Sequence, residues 1–183
     1  MTKLILLSAM FVMANLAASS AAPQWGPPSA TVIPEANGYI SIPNAAVRLD
    51  KTRTYRAIFD VTRAAKEPGQ LVPGLHMAGA ELNAFGASGV PLRNAKFAVV
   101  FHGPAMDGIL DDEHYRAKFG VANPNLKVLA ELKKAGVELF VCGQSLAHEN
   151  IRPSIISPEV TVASAALMVL MTYQNEGYAL LDF

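Results

Sequence analysis

Phe97-Ala-Val-Val-Phe101 is an unbroken apolar run of strand-favouring residues that stops at His102-Gly103-Pro104. Half-buried strands alternate apolar and polar residues; a continuous run belongs to a strand covered on both faces, as in parallel sheets clad by helices. Outward in the sequence the pattern repeats. Val137-Glu-Leu-Phe-Val141 gives way to Cys142-Gly143-Gln144-Ser145, which reads as a buried strand turning into a helix N-terminus, and Tyr55-Arg-Ala-Ile-Phe-Asp-Val61 reads as a first strand.

Helical spacing fills the intervals. Leu75, Ala78, Leu82 and Phe85 recur on one helical face and end near Gly86 and Gly89. A short helix is expected over 111–119. Asn123-Pro124 has the chemistry of an N-cap followed by proline at the first helical position, opening a helix that Gly136 stops. Beyond Cys142 come a short helix over 144–150, a fourth strand over 160–162, an apolar helix over 163–175 expected to lie buried in the domain, and a last strand over 178–183 after Gly177. Strands alternating with helices predict a three-layer α/β domain over 54–183 with a mostly parallel sheet.

The preceding residues differ in kind. Met1-Thr2-Lys3, an apolar run from Leu4 to Ala18, and Ser19-Ser20-Ala21-Ala22 form the pattern of a secretory signal over 1–22, removed near Ala21 or Ala22. The hydrophobic share of 51% is inflated by that leader, and the next longest apolar run, 162–171, covers half a bilayer span. A mature chain of about 160 residues, enough for one domain with a substantial core, is therefore expected in an exported compartment, periplasmic in a Gram-negative source, with no membrane contact. Residues 23–53 are interrupted by Pro27-Pro28, Ile33-Pro34 and Ile42-Pro43, which block both helix and central strand. They read as an extended arm, either disordered or wrapped around a neighbouring molecule, with Trp25, Tyr39, Ile40 and Ile42 to bury.

Fifteen basic and fifteen acidic residues, with no basic stripe, argue against nucleic acid. The single cysteine cannot form an internal disulfide, and with four scattered histidines it makes no metal-ligand spacing. Walker, Gly-x-Ser-x-Gly and dinucleotide-binding signatures are missing, so no cofactor is expected. What remains lies on one sheet edge. Parallel strands bring the loops at Asp60, His102-Gly103 and Cys142-Gly143-Gln144-Ser145 to their common carboxyl end, where open α/β sheets bind ligands. A thiol at a helix start favours the thiolate, so Cys142 is the candidate nucleophile, His102 a possible thiol partner, and Gly103, Gly143, Gln144 and Ser145 binding residues. Ser145 also reads as a helix cap. Cysteine equally serves as a small apolar residue closing a strand, and that alternative stays open. His114 reads as part of a solvated first turn, and His76 and His148 as structural.

Taken together, 97–104, 137–146, the closing Gly177-Tyr-Ala-Leu-Leu-Asp-Phe183, and Ile42-Pro-Asn-Ala-Ala46 ahead of the first strand resemble the DsrE/DsrF-like family over residues 30–183. The resemblance implies a five-stranded, mostly parallel Rossmann-like fold assembled into trimers or hexamers. It also implies a sulfur-carrying cysteine at the position of Cys142, with sulfur donor and acceptor thiols or proteins as partners. Two functions are thus expected to compete: a persulfide carrier or sulfurtransferase-like protein, and a non-catalytic oligomeric module binding a small ligand or a protein.

Overall fold

A computed structural model describes residues 25–183; the expected leader over 1–22 lies outside the described residues. Five strands, β1 (Tyr55–Val61), β2 (Ala95–Phe101), β3 (Glu138–Cys142), β4 (Thr161–Ala163) and β5 (Ala179–Asp182), form one sheet in the order β4-β3-β2-β1-β5. All four pairings are parallel. The central pair runs in register from Tyr55–Ala95 to Val61–Phe101, and every β2 residue but Lys96 is buried. That burial on both faces is what the uninterrupted apolar run encodes.

Helices α1 (Pro73–Ala87) and α3 (Asn125–Lys134) cover one face. There Phe59, Val61, Phe97, Val99, Phe101, Leu139 and Val141 pack against Leu75, Leu82, Phe85, Val128, Leu129 and Leu132. Each fully buried side chain of this size contributes about 1.5–3 kcal/mol by leaving water, so this larger cluster dominates the stability of the fold. The opposite face, Ile58, Ala98, Val100 and Cys142, is covered by α5 (Ala166–Asn175) through Ala166, Val169 and Leu170. Helix α2 (Asp112–Phe119) starts at Asp111, whose carboxylate accepts the His114 N–H at 2.8 Å, and stops at Gly120 in the left-handed conformation. Helix α3 starts at Asn125, one residue later than expected, with Pro124 at the cap position; Asn123 Oδ1 accepts the Asn125 N–H at 2.9 Å, and its amide donates to the buried Gly108 and Leu110 carbonyls.

One expectation needs correcting. The apolar helix is not buried throughout. Leu167 is 67% exposed, Met168 54% and Met171 50%, because a ten-residue helix lying on a sheet turns only one stripe inward. In the arm, Trp25, Ile40 and Ile42 stay exposed, while Ile33 and Ala36 are the residues taken into the core. The cause lies in α1. Gly79, Asn83 and Gly86 share one helical face, and a β-carbon at Gly79 would sit 2.6 Å from the Ala36 side chain. Asn83 between them accepts the N–H groups of Val32 and Ile33 and donates to the carbonyls of Ile33 and Asn37. His76 on the same helix accepts the Asn37 N–H at 3.0 Å. The chain over 31–37 is thus strapped to its own domain.

Candidate functional site

The direction of the crossovers places the site. From β1 to β4 the chain steps along the sheet one strand at a time, with α1 and α3 on the first face. After β4 it reverses, and α5 carries it back along the second face to β5. Connections therefore part between the carboxyl ends of β3 and β4, which is the crevice where open α/β sheets take ligands. Cys142 is the last residue of β3, and its register partner Ala163 is the last of β4.

Cys142 precedes α4 (Gly143–His148) directly, with no linker. Gly143 is required there by space: a β-carbon on it would stand 2.6 Å from the Ala163 carbonyl oxygen, so the first turn of α4 rests against the backbone leaving β4. Gln144 bridges the same gap through its amide, which donates to the Ser164 carbonyl at 3.4 Å. The thiol consequently lies between the first turns of two helices. Burial, with only 6% of the residue exposed, pushes the thiol up. Hydrogen bonds from the Ser145 hydroxyl and from the N–H groups of Ala166, Ser145 and Gln144 outweigh it, and the thiol is held below its ordinary value.

Cys142, Gly143, Gln144 and Ser145 thus come together at one point. Ser145 does not cap its helix; its hydroxyl serves the thiol instead. His102 and Gly103 sit at the end of β2, next along the edge, with Gly103 in the left-handed region at φ 56°. His102 is not among the groups bonded to the thiol. Its Nε2 lies 2.7 Å from Asp60 Oδ1 at the end of β1, which turns the ring toward the strand on the side away from β3. The sequence brings the Asp60 loop to this edge but assigns the carboxylate no role. The signal was available: a carboxylate inside Ala57-Ile-Phe-Asp-Val61, among residues that are otherwise buried, needs a partner.

The other histidines lie elsewhere. His114 Nδ1 pairs with Asp111 at 2.7 Å, and His148 ends α4. Among the described residues no group of three or more His, Cys, Asp or Glu side chains is placed to hold a metal ion, and no helix is long and apolar enough to cross a membrane.

An all-parallel, five-stranded Rossmann-like sheet with a solitary thiol at its switch point defines a class of single-cysteine α/β domains. Residues 56–183 match the DsrE/DsrF-like family, and the chain belongs to that family, which is generally related to sulfur relay. Among solved structures it is similar to MTH1491 from Methanobacterium thermoautotrophicum, described as a protein of unknown function, with a TM-score of 0.53 and 18% identity over 70% of this chain and 99% of that one. It is also similar to the ychN protein from E. coli, with a TM-score of 0.53 and 15% identity over 71% of this chain and 100% of that one. At these identities the likeness is one of fold. No curated protein matches the chain.

Proposed function

We propose that the protein carries sulfane sulfur as a persulfide on Cys142, taking it from a donor thiol or protein and passing it to an acceptor thiol. The observation that supports this reading most is the donor set around the sulfur. The Ser145 hydroxyl and the N–H groups of Ala166, Ser145 and Gln144 beside the sulfur favour an anion there against the cost of burial. A thiolate is the nucleophile in sulfur transfer, and the same N–H groups suit the Cys–S–S⁻ product. A single cysteine also favours holding sulfur over closing a disulfide. Intact mass after incubation with a persulfide donor tests the idea: a gain of one sulfur, about 32 Da, is expected in the wild type and not in C142S, as the thiolate mechanism requires. No gain in the wild type rejects it.

A second reading, a non-catalytic binding module, is favoured by one specific observation, the near-complete enclosure of Cys142. It requires that the thiol resist iodoacetamide in the folded protein, and rapid labelling excludes it. Under either reading we place the protein, after removal of its leader, in an exported compartment and in a homo-oligomer. The exposed Leu167, Met168 and Met171 of α5 suit a face between copies, since a stripe of that size is more apolar than a solvated helix needs to be. Light scattering that shows a monomer at micromolar concentration would contradict the assembly.

A further inference from the structure

Sulfur transfer leaves one task that the donor set around Cys142 does not cover, the proton that must reach the departing thiolate. Asp60 on β1, His102 directly after β2 and Cys142 at the end of β3 lie at the same edge of three adjacent strands. The pairings Val61–Phe101 and Phe101–Val141 are the last in their ladders, so His102 stands one step beyond them, in the row of Cys142. Neighbouring strands are about 4.8 Å apart, and residues in one row of a parallel sheet project to the same face. That face is known here: Cys142 belongs to the cluster with Ile58, Ala98 and Val100. Asp60 alternates with Ile58 on β1, and its bond to His102 puts the imidazole there too.

The two groups differ in access. His102 is 27% exposed and Asp60 17%, whereas the thiol is nearly enclosed, so of the two groups in this row the imidazole is the one open to solvent. A carboxylate only accepts, so Nε2 carries the hydrogen toward Asp60, and Nδ1 is the nitrogen left to give or take a proton.

We propose that His102 is the acid that protonates the leaving thiolate in sulfur loading, with Asp60 as its positioning residue. The inference rests on the persulfide reading above. The Cys142 thiolate attacks the terminal sulfur of a donor R–S–SH. A bond forms between Cys142 Sγ and that sulfur as the donor's S–S bond breaks, and the bonding pair departs with R–S⁻. Nδ1 of protonated His102 gives R–S⁻ its proton, producing R–SH. Cys142–S–SH returns a proton to His102 and remains as Cys142–S–S⁻ among the N–H donors. No external oxidant or reductant is consumed. The donor class implied is the persulfide of an alkyl thiol, whose thiolate leaves poorly unless protonated.

The test compares leaving groups on the mature protein. Iodoacetamide releases iodide, and 5,5′-dithiobis(2-nitrobenzoate) releases an aryl thiolate that needs no proton at neutral pH. Glutathione persulfide releases an alkyl thiolate. In H102Q, loading from glutathione persulfide is expected to fall about a hundredfold, the lower end of what general acid catalysis contributes, while the other two rates stay within about twofold. D60N, which keeps the ring but loosens its anchor, is expected to show the same selectivity with a smaller loss, and D60E to recover part of it. Should H102Q fail to fold, the Asp60 pair still decides the matter. Equal slowing of all three reagents in these variants, or of none, overturns the proposal. If instead the wild type is alkylated but takes no sulfur from glutathione persulfide, the persulfide reading itself fails.

Discussion

Gly143→Ala adds one methyl group at the point where α4 touches the backbone leaving β4. Two effects oppose each other. In a helix, alanine is favoured over glycine by about 1 kcal/mol. Against this, the new β-carbon would meet the Ala163 carbonyl oxygen at 2.6 Å, with the Ser164 carbonyl and Val162 Cγ1 at 3.4 Å. The 2.6 Å contact is with backbone, which cannot swing aside as a side chain would, so α4 and the β4–α5 loop must separate by several tenths of an ångström. Overpacking of this kind costs about 1–3 kcal/mol, and the clash wins over helix propensity. The displacement acts where the N–H groups of Gln144 and Ser145 on one side and Ala166 on the other converge on Cys142. Losing one charge-assisted bond, about 1.5 kcal/mol, reduces the thiolate population roughly tenfold at a fixed pH below the midpoint. The assay is the rate of iodoacetamide labelling across pH, read beside the urea midpoint. G143A should shift the profile to higher pH and lower the midpoint. An unchanged profile together with an unchanged midpoint would refute the claim that this contact sets the thiol.

Other expectations follow from the same geometry. Ser145→Ala removes the hydroxyl donor but leaves three N–H groups, so the labelling profile should move to higher pH while the urea midpoint changes little. The Cys142 thiol is held down in the fold, so the unfolded chain binds more protons between the folded value and the unfolded value of about 8.5. Stability from this group is then fully present above the unfolded value and is lost as pH falls through the folded one, and C142S should abolish that segment of the stability–pH curve. Asn83→Ala strips the partners from the buried N–H and C=O of Ile33; at about 1–2 kcal/mol for each orphaned group, a loss of about 2–4 kcal/mol or selective proteolysis over 31–38 is expected, and neither occurring would show that the strap contributes nothing. Glu131 is held above the ordinary carboxyl range by burial and by Glu35, so its contribution is present below the unfolded value of about 4.3 and is lost as pH rises through the folded one. Thermal melts of E131Q should lack that decline.

The sheet and the thiol were legible because both are written locally. Continuous apolar runs at 97–101 and 137–141 announce strands buried on two faces, and the glycine after Cys142 announces the turn into a helix. The arm was harder. Its proline-rich residues carry no periodicity, and the information that seats Ile33 is held fifty residues away in the Gly79, Asn83, Gly86 stripe, which reads only as a glycine-rich helix until the two segments are joined. The last helix misled because composition reports how apolar a segment is and not how many of its sides are covered. The parallel pattern brings the loops of Asp60 and His102 to one edge, but the pairing of these side chains, 42 residues apart, depends on strand register.

The slot that β5 fills has a bearing on how the chain is made. β1 is central to the finished sheet, yet its outer side is paired only by residues 179–182, while Phe183 stacks on Phe59 and its carbonyl accepts the Thr62 N–H. A chain emerging from the ribosome can assemble β1, β2 and β3 long before that partner exists. During this interval β1 presents an open ladder of N–H and C=O groups, the feature through which nascent proteins stick to one another. A nascent chain stalled before residue 177 should therefore be the species that chaperones bind most avidly.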